Sequence, residues 1–147
     1  MKRSRPIAGR YLGYRDADHA QPFARFFRPE LAPLAPHVSA ALDRGGVPEV
    51  LLPGIEGAAA NLFGDAPVLE DGFVLTTDGG MRVSIRTPMP GVTPAMVDWW
   101  FGWHGDAAAK YKLWHPQAHV HVAWRDTPPA GARGRALYVG QTSIVDE

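Results

Sequence analysis

The sequence predicts an α+β protein, because strand-like and helix-like segments after residue 66 occur in separate runs. Three observations lead to this prediction. Residues 72–87 alternate apolar and polar side chains about a central turn, residues 93–104 begin with Thr-Pro and continue as an aromatic helix, and residues 119–145 contain two further strand-like segments. An antiparallel sheet with helices on one side accommodates that order.

Composition limits the classes of function. The chain has 147 residues, 46% of them hydrophobic, and Lys+Arg and Asp+Glu each number 15, so the formal net charge is zero. That balance shows no excess of basic residues, which is the feature expected of a protein that binds nucleic acid or an anionic membrane. Cysteine is absent, so any metal must be held by His, Asp or Glu. The basic cluster at 1–5 is followed by no apolar core of a signal peptide, and we expect a cytoplasmic protein.

The domain organisation predicted from the pattern divides the chain at residue 65. Residues 1–65 contain many prolines and are expected to form an N-terminal extension with little regular structure, apart from short amphipathic segments at 38–43 and 51–61. Residues 66–147 are expected to form the domain that carries function.

The first element of that domain is a β-hairpin. Residues 72–77 and 81–87 are strand-like, and Asp78-Gly79-Gly80 between them is a turn signal. Proline at 88 and 90 ends the second strand.

Two helices are predicted next. Thr93 is a favourable N-cap and Pro94 suits the first helical position, so a helix starts there and is limited by Gly102 and Gly105. Asp106 is placed to cap a second short helix over 107–114, before Pro116.

The last elements are strands at 119–124 and 135–145, the second bent at Gly140. The sequence stops at Glu147 directly after a strand, with no helix to cover the sheet, and we therefore expect it to be C-terminally incomplete.

Four of the six histidines lie between His104 and His121. His119 and His121 alternate in a predicted strand, so both point to one face and suit one metal or substrate; a hydrogen-bonded core histidine with an exposed neighbour is the structural alternative. His115 lies four residues before His119, but Pro116 prevents a helix through them. His104 ends the aromatic helix, where a contact with the helix C-terminus competes with a catalytic role.

Aromatic and acidic residues complete the candidates. Trp99, Trp100 and Trp103 suit either a pocket for a flat ring or ordinary core packing. Tyr111 and Tyr138 are candidate acids or oxyanion donors, again with packing as the alternative. A carboxylate from Asp146-Glu147, on a strand beside His119, would complete a His/Glu set suited to zinc, unless it is a solvated terminal charge. The chain has no Gly-rich phosphate loop, serine nucleophile elbow or HExxH motif.

Three sequence blocks resemble one known family. WWFGWH at 99–104, YKLWHPQAH at 111–119 and YVGQTSIVDE at 138–147 are similar to the signature of the diacetylphloroglucinol hydrolases, which are zinc-dependent carbon–carbon bond hydrolases. The similarity extends over about residues 69–147. It implies a Bet v 1-like helix-grip fold, a curved antiparallel sheet around a long C-terminal helix, of which this chain holds the first half.

The resemblance also implies roles for individual residues. The family's zinc is held by two His and two Glu; by motif and order, the first His maps to His119 and the first Glu to Glu147, with His121 as a neighbouring donor. The family's catalytic tyrosine maps to Tyr111, and His104 or His115 would assist proton transfer. The second His and Glu belong to a later helix that has no counterpart in this chain.

Two functions of different classes follow. The first is a zinc hydrolase that releases an acyl group, acetate, from an acylated phloroglucinol-like ketone, with Trp99, Trp100, Trp103 and Tyr138 holding the aromatic substrate. The second is a helix-grip module that binds an aromatic small molecule without catalysis, or an inactive fragment. A homodimer is left open as a partner. From two assigned ligands, we expect the isolated chain to bind zinc weakly and to show no turnover.

Overall fold

A computed structural model describes residues 10–52, 54–64 and 69–147. The basic cluster at 1–5 and the predicted domain boundary between 65 and 66 lie outside the described residues. The α-helices of the described part are α1 Asp16–His19, α2 Pro36–Arg44, α3 Ile55–Phe63, α4 Pro94–His104 and α5 Ala108–Tyr111. Its strands are β1 Gly72–Leu75, β2 Met81–Ser84, β3 His121–Trp124 and β4 Ser143–Asp146.

The mixture of helices and antiparallel strands confirms the predicted α+β class. The strands form two separate two-stranded sheets, β1–β2 and β3–β4, where one sheet was expected. By contacts, the chain divides into two compact units: residues up to Ala32 with Gly91–Glu147, and Pro33–Pro90. Among the described residues, no helix is long and apolar enough to cross a bilayer.

The unit Pro33–Pro90 contains the predicted hairpin. β1 and β2 pair antiparallel with Gly72 opposite Ser84 and Leu75 opposite Met81, so the hairpin is confirmed, with strands shorter than predicted. Gly79 has φ 85° in the connecting turn, a conformation that glycine adopts at little cost. A small core of Leu52, Leu69 and Val74 lies beside the hairpin.

Two helices of the same unit coincide with the short amphipathic segments predicted at 38–43 and 51–61. α2 begins with Pro36 at its first position and ends at Gly45, whose φ is 74°. α3 covers Ile55–Phe63. Each helix has nine residues. The frequent prolines of this region lie at or between helix ends and do not prevent the helices.

The second unit contains α4, which starts as predicted. Thr93 is the N-cap, and its hydroxyl accepts a 3.3 Å hydrogen bond from the amide of Met96. The helix ends at His104, and the next residue, Gly105, lies against the indole of Trp124: a Cβ on Gly105 would lie 2.2 Å from that ring.

The short helix α5 follows α4 and is shorter than the predicted 107–114. Asp106 does not cap it; its carboxylate instead binds the ammonium of Lys110 at 2.8 Å, and Ala107 is the N-cap. Turns at 112–114 lead to Pro116. α5 therefore ends at Tyr111, a residue of the candidate site.

Strands β3 and β4 pair antiparallel, with His121 opposite Asp146 and Trp124 opposite Ser143. The prediction of one strand over 135–145 is wrong for its first part. Gly134–Leu137 forms a 3₁₀ turn, and Gly140 has φ 77°, which breaks extended structure before β4 begins. His119 also lies before β3 and not within it.

Candidate functional site

Tyr111, His119 and Glu147 come together at one point of the second unit. Oε1 of Glu147 lies 3.5 Å from Nε2 of His119, and it accepts a 2.6 Å hydrogen bond from the hydroxyl of Tyr111. The rings of Tyr111 and His119 stack with centroids 3.7 Å apart and planes 2° apart. We call these three residues the polar triad.

Local structure explains why residues that are distant in sequence meet here. Tyr111 is the last residue of α5, and Glu147 directly follows β4. His119 lies in a turn around Pro116, closed by a 2.9 Å hydrogen bond from its amide to the carbonyl of His115. The pairing of β3 with β4 then brings the side-chain carboxylate of Glu147 beside that turn.

The orientation of His119 is fixed by the backbone. Its Nδ1 lies 3.0 Å from the carbonyl oxygen of Tyr111, so Nδ1 carries the proton and donates it there. Nε2, the other ring nitrogen, faces Glu147 at 3.5 Å. A backbone carbonyl that accepts a hydrogen bond from one ring nitrogen, leaving the other for a metal, is the usual support for a metal-binding imidazole.

Tyr111 is held in its protonated form. Its side chain is buried, with 4% of the residue exposed. Burial, and then the hydrogen bond to the Glu147 carboxylate, raise the pKa of Tyr111 well above its ordinary value of 10.0. At neutral pH the phenol is therefore a hydrogen-bond donor and a proton source, and not a base.

His104 lies on the other side of Tyr111 and belongs to a continuous column of rings. It stacks on Tyr111 at 5.7 Å and on Trp100 at 5.2 Å. Its Nδ1 is 2.8 Å from the carbonyl of Trp100, the contact with a helix C-terminus that competes with catalysis. Burial lowers the pKa of His104, which favours the neutral imidazole. Its catalytic role stays a prediction.

The predicted substrate tryptophans line a cavity of about 490 Å³ together with residues of the N-terminal segment. Its lining residues are Phe23, Phe26, Trp99, Trp100, Trp103 and Leu113. Trp100 stacks on His104, and His104 on Tyr111, so two rings lie between this cavity wall and His119. The aromatic cavity and the polar triad are therefore neighbouring features joined through the ring column.

Tyr138 takes part in a different contact. Its hydroxyl donates to a carboxylate oxygen of Asp98 on α4, and that hydrogen bond raises the pKa of Tyr138. Its ring lies 5.8 Å from that of Phe101. The contact attaches the loop after the 3₁₀ turn to α4, and the predicted role in substrate binding stays a prediction.

The remaining candidate ligands are His115 and His121. The ring of His115 lies 5.7 Å from that of His119, and its Nδ1 is buried with no hydrogen-bond partner among the described residues. His121 stands in β3 directly opposite Asp146. No group of three or more His, Asp or Glu residues within the described ranges is arranged to hold a metal ion. The described geometry thus brings together two of the three predicted ligands, His119 and Glu147.

Two further residues beside the site, Arg10 and Lys112, were not among the candidates predicted from the sequence. Lys112 has 0% exposure, and its ammonium lies 3.2 Å from the centre of the Tyr11 ring. Arg10 donates a 3.1 Å hydrogen bond to Asp146. Tyr111 and Trp114 flank Lys112 in the block at 111–114, and this aromatic setting was the available signal that the lysine is buried. For Arg10, which is 136 residues from its partner, the sequence contains no such signal.

Comparison with known proteins identifies relatives of this chain. The chain is 32% identical over 110 residues to phloretin hydrolase of Eubacterium ramulus, a match that covers 74% of this chain and 40% of the relative. It is also 32% identical over 118 residues to 2,4-diacetylphloroglucinol hydrolase of a Pseudomonas species and to that of Pseudomonas protegens, matches that cover 80% of this chain and 40% and 38% of those relatives. The chain thus spans about 40% of the length of these curated relatives.

The family described as the DAPG hydrolase PhiG domain matches residues 55–147, which include the whole polar triad, α4 and both described hairpins. A match over that length shows membership, and the resemblance carried by the blocks at 99–104, 111–119 and 138–147 is confirmed. This chain therefore belongs to the DAPG hydrolase PhiG domain family.

Proposed function

We propose that this chain forms part of a zinc-dependent hydrolase that cleaves a carbon–carbon bond and releases an acyl group, such as acetate, from an acylated phloroglucinol-like ketone. The observation that supports this proposal is the polar triad, in which a phenol, an imidazole and a carboxylate converge on one point. The names of the relatives, which are hydrolases of phenolic ketones, agree with it.

The two donors of the triad fit a zinc ion. Adjacent ligands about 2 Å from one zinc lie roughly 3–4 Å apart. The 3.5 Å between His119 Nε2 and Glu147 Oε1 falls within that range, and Nδ1 of His119 is already satisfied by a carbonyl. Zinc in such a site lowers the pKa of a bound water toward neutrality or polarises a carbonyl. His121 is proposed as a weaker donor, because it stands opposite Asp146 and not Glu147 in the β3–β4 ladder.

The reaction assigned to the site is hydrolysis. Water adds its oxygen to the acyl carbon, the bond from that carbon to the ring breaks, and its electron pair passes to the ring carbon, which takes up a proton. Tyr111 has the proton needed for a donor at the ketone oxygen or the leaving ring, because its raised pKa keeps the phenol intact. His104 and His115 are the proposed alternatives for proton transfer.

The substrate's aromatic body is assigned to the cavity of about 490 Å³. Its walls are aromatic, and flat rings pack favourably against such faces. Trp99, Trp100 and Trp103 are proposed to hold the ring of the ketone there, together with Tyr138, which contacts the middle of α4 at Asp98 and Phe101. We also propose that the complete domain has the Bet v 1-like helix-grip fold, to which the α+β elements of residues 66–147 contribute.

The test measures zinc binding and chemistry separately. Zinc affinity of the 147-residue chain is measured by competition with a coloured chelator, for the wild type, His119→Ala and Glu147→Gln, with His37→Ala as a control from the other unit. We expect weak binding that is weakened further, at least about tenfold, in each of the two site variants and is kept in the control. Only two donors of the described part converge, so we expect no turnover from this chain alone.

Acetate release from an acetylated phloroglucinol is then compared with hydrolysis of a simple aryl ester. Faster cleavage of the ester would contradict the proposed reaction class. Efficient release of acetate that is abolished by His119→Ala would show that the site is already complete. Binding of the ketone together with zinc affinity that His119→Ala leaves unchanged would favour the non-catalytic binding module.

A further inference from the structure

Two consecutive residues of the N-terminal segment, Arg10 and Tyr11, contact residues that adjoin the polar triad in the chain. Nη1 of Arg10 donates to Oδ2 of Asp146 at 3.1 Å, and Asp146 immediately precedes Glu147. The ring of Tyr11 lies 3.2 Å from the ammonium of Lys112, which immediately follows Tyr111. Arg10 and Tyr11 thus bind the chain neighbours of the residues that share the 2.6 Å bond between Tyr111 and Glu147.

The Tyr11 contact matters because Lys112 is a buried cation. Lys112 has 0% exposure, and no described residue accepts a hydrogen bond from its ammonium. Burial lowers the pKa of Lys112. The negative face of an aromatic ring stabilises an ammonium that has lost its water. The position of Lys112, and with it the end of α5, therefore depends on Tyr11.

Tyr11 is itself held in place by the start of α1. Its hydroxyl donates a 2.6 Å hydrogen bond to Asp18, and the guanidinium of Arg15 lies 3.6 Å from its ring centre. Three residues further on, the hydroxyl of Tyr14 donates to the carbonyl of Ala109 at 2.5 Å, inside α5. The N-terminal segment is thus attached to α5 at two points.

The Arg10 contact matters because Glu147 lies beyond the last paired residue of β4. The final ladder bond runs from the amide of Val120 to the carbonyl of Asp146 at 2.9 Å. A residue beyond the end of a ladder frays unless a side chain restrains its neighbour. The ion pair of Arg10 with Asp146 supplies such a restraint.

We infer that Arg10 and Tyr11 form an N-terminal clamp that positions the Glu147 carboxylate against Tyr111 and His119. Both residues lie before residue 55, where the family match begins, so the clamp belongs to a part of the chain outside that match. Its structural effect is independent of the proposed function, whereas its effect on metal binding rests on that function.

The first experiment needs no metal. Amide hydrogen exchange is followed by NMR at both ends of the β3–β4 ladder in the 147-residue chain. The Val120 amide reports on the end beside the triad, and the Arg125 amide, which donates to Thr142 at 2.9 Å, reports on the far end. In Arg10→Ala we expect Val120 to exchange about 2- to 5-fold faster, the range for a part-exposed ion pair, with Arg125 unchanged.

Asp146→Asn, which keeps the shape of the side chain, should reproduce the Arg10→Ala result. Arg28→Ala, an exposed arginine bound to the carbonyls of Arg25 and Phe27, should change neither amide. Unchanged exchange at Val120, or equal acceleration at both ends of the ladder, would overturn the clamp.

The second experiment measures zinc affinity in a double-mutant cycle. Arg10→Ala should weaken zinc binding by about 3- to 10-fold, less than the loss of a direct partner of a metal ligand, because Arg10 acts through Asp146. Arg10→Lys should recover part of the lost affinity. In the Glu147→Gln background, Arg10→Ala should have no further effect. An equal loss in both backgrounds would show that Arg10 acts on the whole fold and would overturn the positioning role. A wild-type chain that binds no zinc would refute the proposed function, and the exchange result would then decide the clamp alone.

Discussion

The hydroxyl of Tyr111 and Nε2 of His119 face the same carboxylate oxygen of Glu147, at 2.6 Å and 3.5 Å. The shared oxygen joins the end of α5, the turn before β3 and the residue after β4. The phenol donates a hydrogen bond to this oxygen, and Nε2 of the imidazole faces the same oxygen. Substitutions at Tyr111 therefore affect both the stability of this unit and the position of Glu147.

Replacement of Tyr111 by Phe should lower the free energy of unfolding by about 1–2 kcal/mol, because a hydrogen bond to a carboxylate is lost while the ring stack remains. Urea denaturation followed by tryptophan fluorescence measures the change. Tyr138→Phe is the matched control, since its hydroxyl also binds a carboxylate, that of Asp98, but at a half-buried position. Equal losses in the two variants would contradict a special role for the Tyr111 bond.

Acidification should destabilise the protein through His104. Burial holds the folded-state pKa of His104 below its ordinary value of 6.5, so below pH 6.5 the unfolded chain binds a proton that the folded chain resists. His104 thus leaves stability unchanged above pH 6.5 and reduces it as the pH falls from 6.5 to the lower folded pKa.

The variant His104→Phe isolates this contribution because it keeps a ring between Trp100 and Tyr111 but cannot titrate. Unfolding free energies at pH 7.5 and pH 5.5 should fall less in the variant than in the wild type. Parallel losses in both proteins would mean that His104 titrates normally in the folded state.

Local signals explain which parts of the fold were predictable. The Asp78-Gly79-Gly80 turn and the Thr93-Pro94 start act through neighbouring residues, and both are confirmed. The first part of the strand predicted over 135–145 is wrong because Gly134 and Gly140 have φ 55° and 77°, and a sequence does not reveal which sign of φ a glycine takes. Asp106 suited an N-cap equally well, but Lys110 one turn later competes for its carboxylate.

The same difference between local and tertiary signals separates the predicted from the unpredicted parts of the site. The convergence of His119 with Glu147 was expected from the assumption that their strands are neighbours, and β3–β4 pairing supplies that contact. The expectation that His119 and His121 share a strand face fails, because β3 begins at His121. Contacts such as Arg10 with Asp146 depend on tertiary packing across 136 residues, about which hydrophobic periodicity contains no information.

Gly105→Ala should destabilise the second unit strongly. The added Cβ would lie 2.2 Å from the Trp124 ring, so α4 and β3 must move apart or the indole must change rotamer. Such overpacking costs roughly 1–3 kcal/mol. Thermal unfolding measures the loss, and Gly105→Ala combined with Trp124→Leu should recover part of it. A double variant less stable than both single variants would show that the clash is not the cause.

The final prediction concerns the donors that hold zinc. His119→Ala and Glu147→Gln should each weaken zinc binding at least about tenfold, because each removes a donor from a site with few others.

His121→Ala should weaken zinc binding less than these two variants. His121 stands opposite Asp146 in the ladder, so the two side chains share a face, and the side chain of Asp146 is directed to Arg10. Side chains alternate along a strand, so Glu147 is expected to leave the chain on the other face. Chelator competition on the three variants, with circular dichroism to confirm folding, measures these effects. A loss in His121→Ala as large as that in His119→Ala would contradict this order and assign His121 as the third ligand.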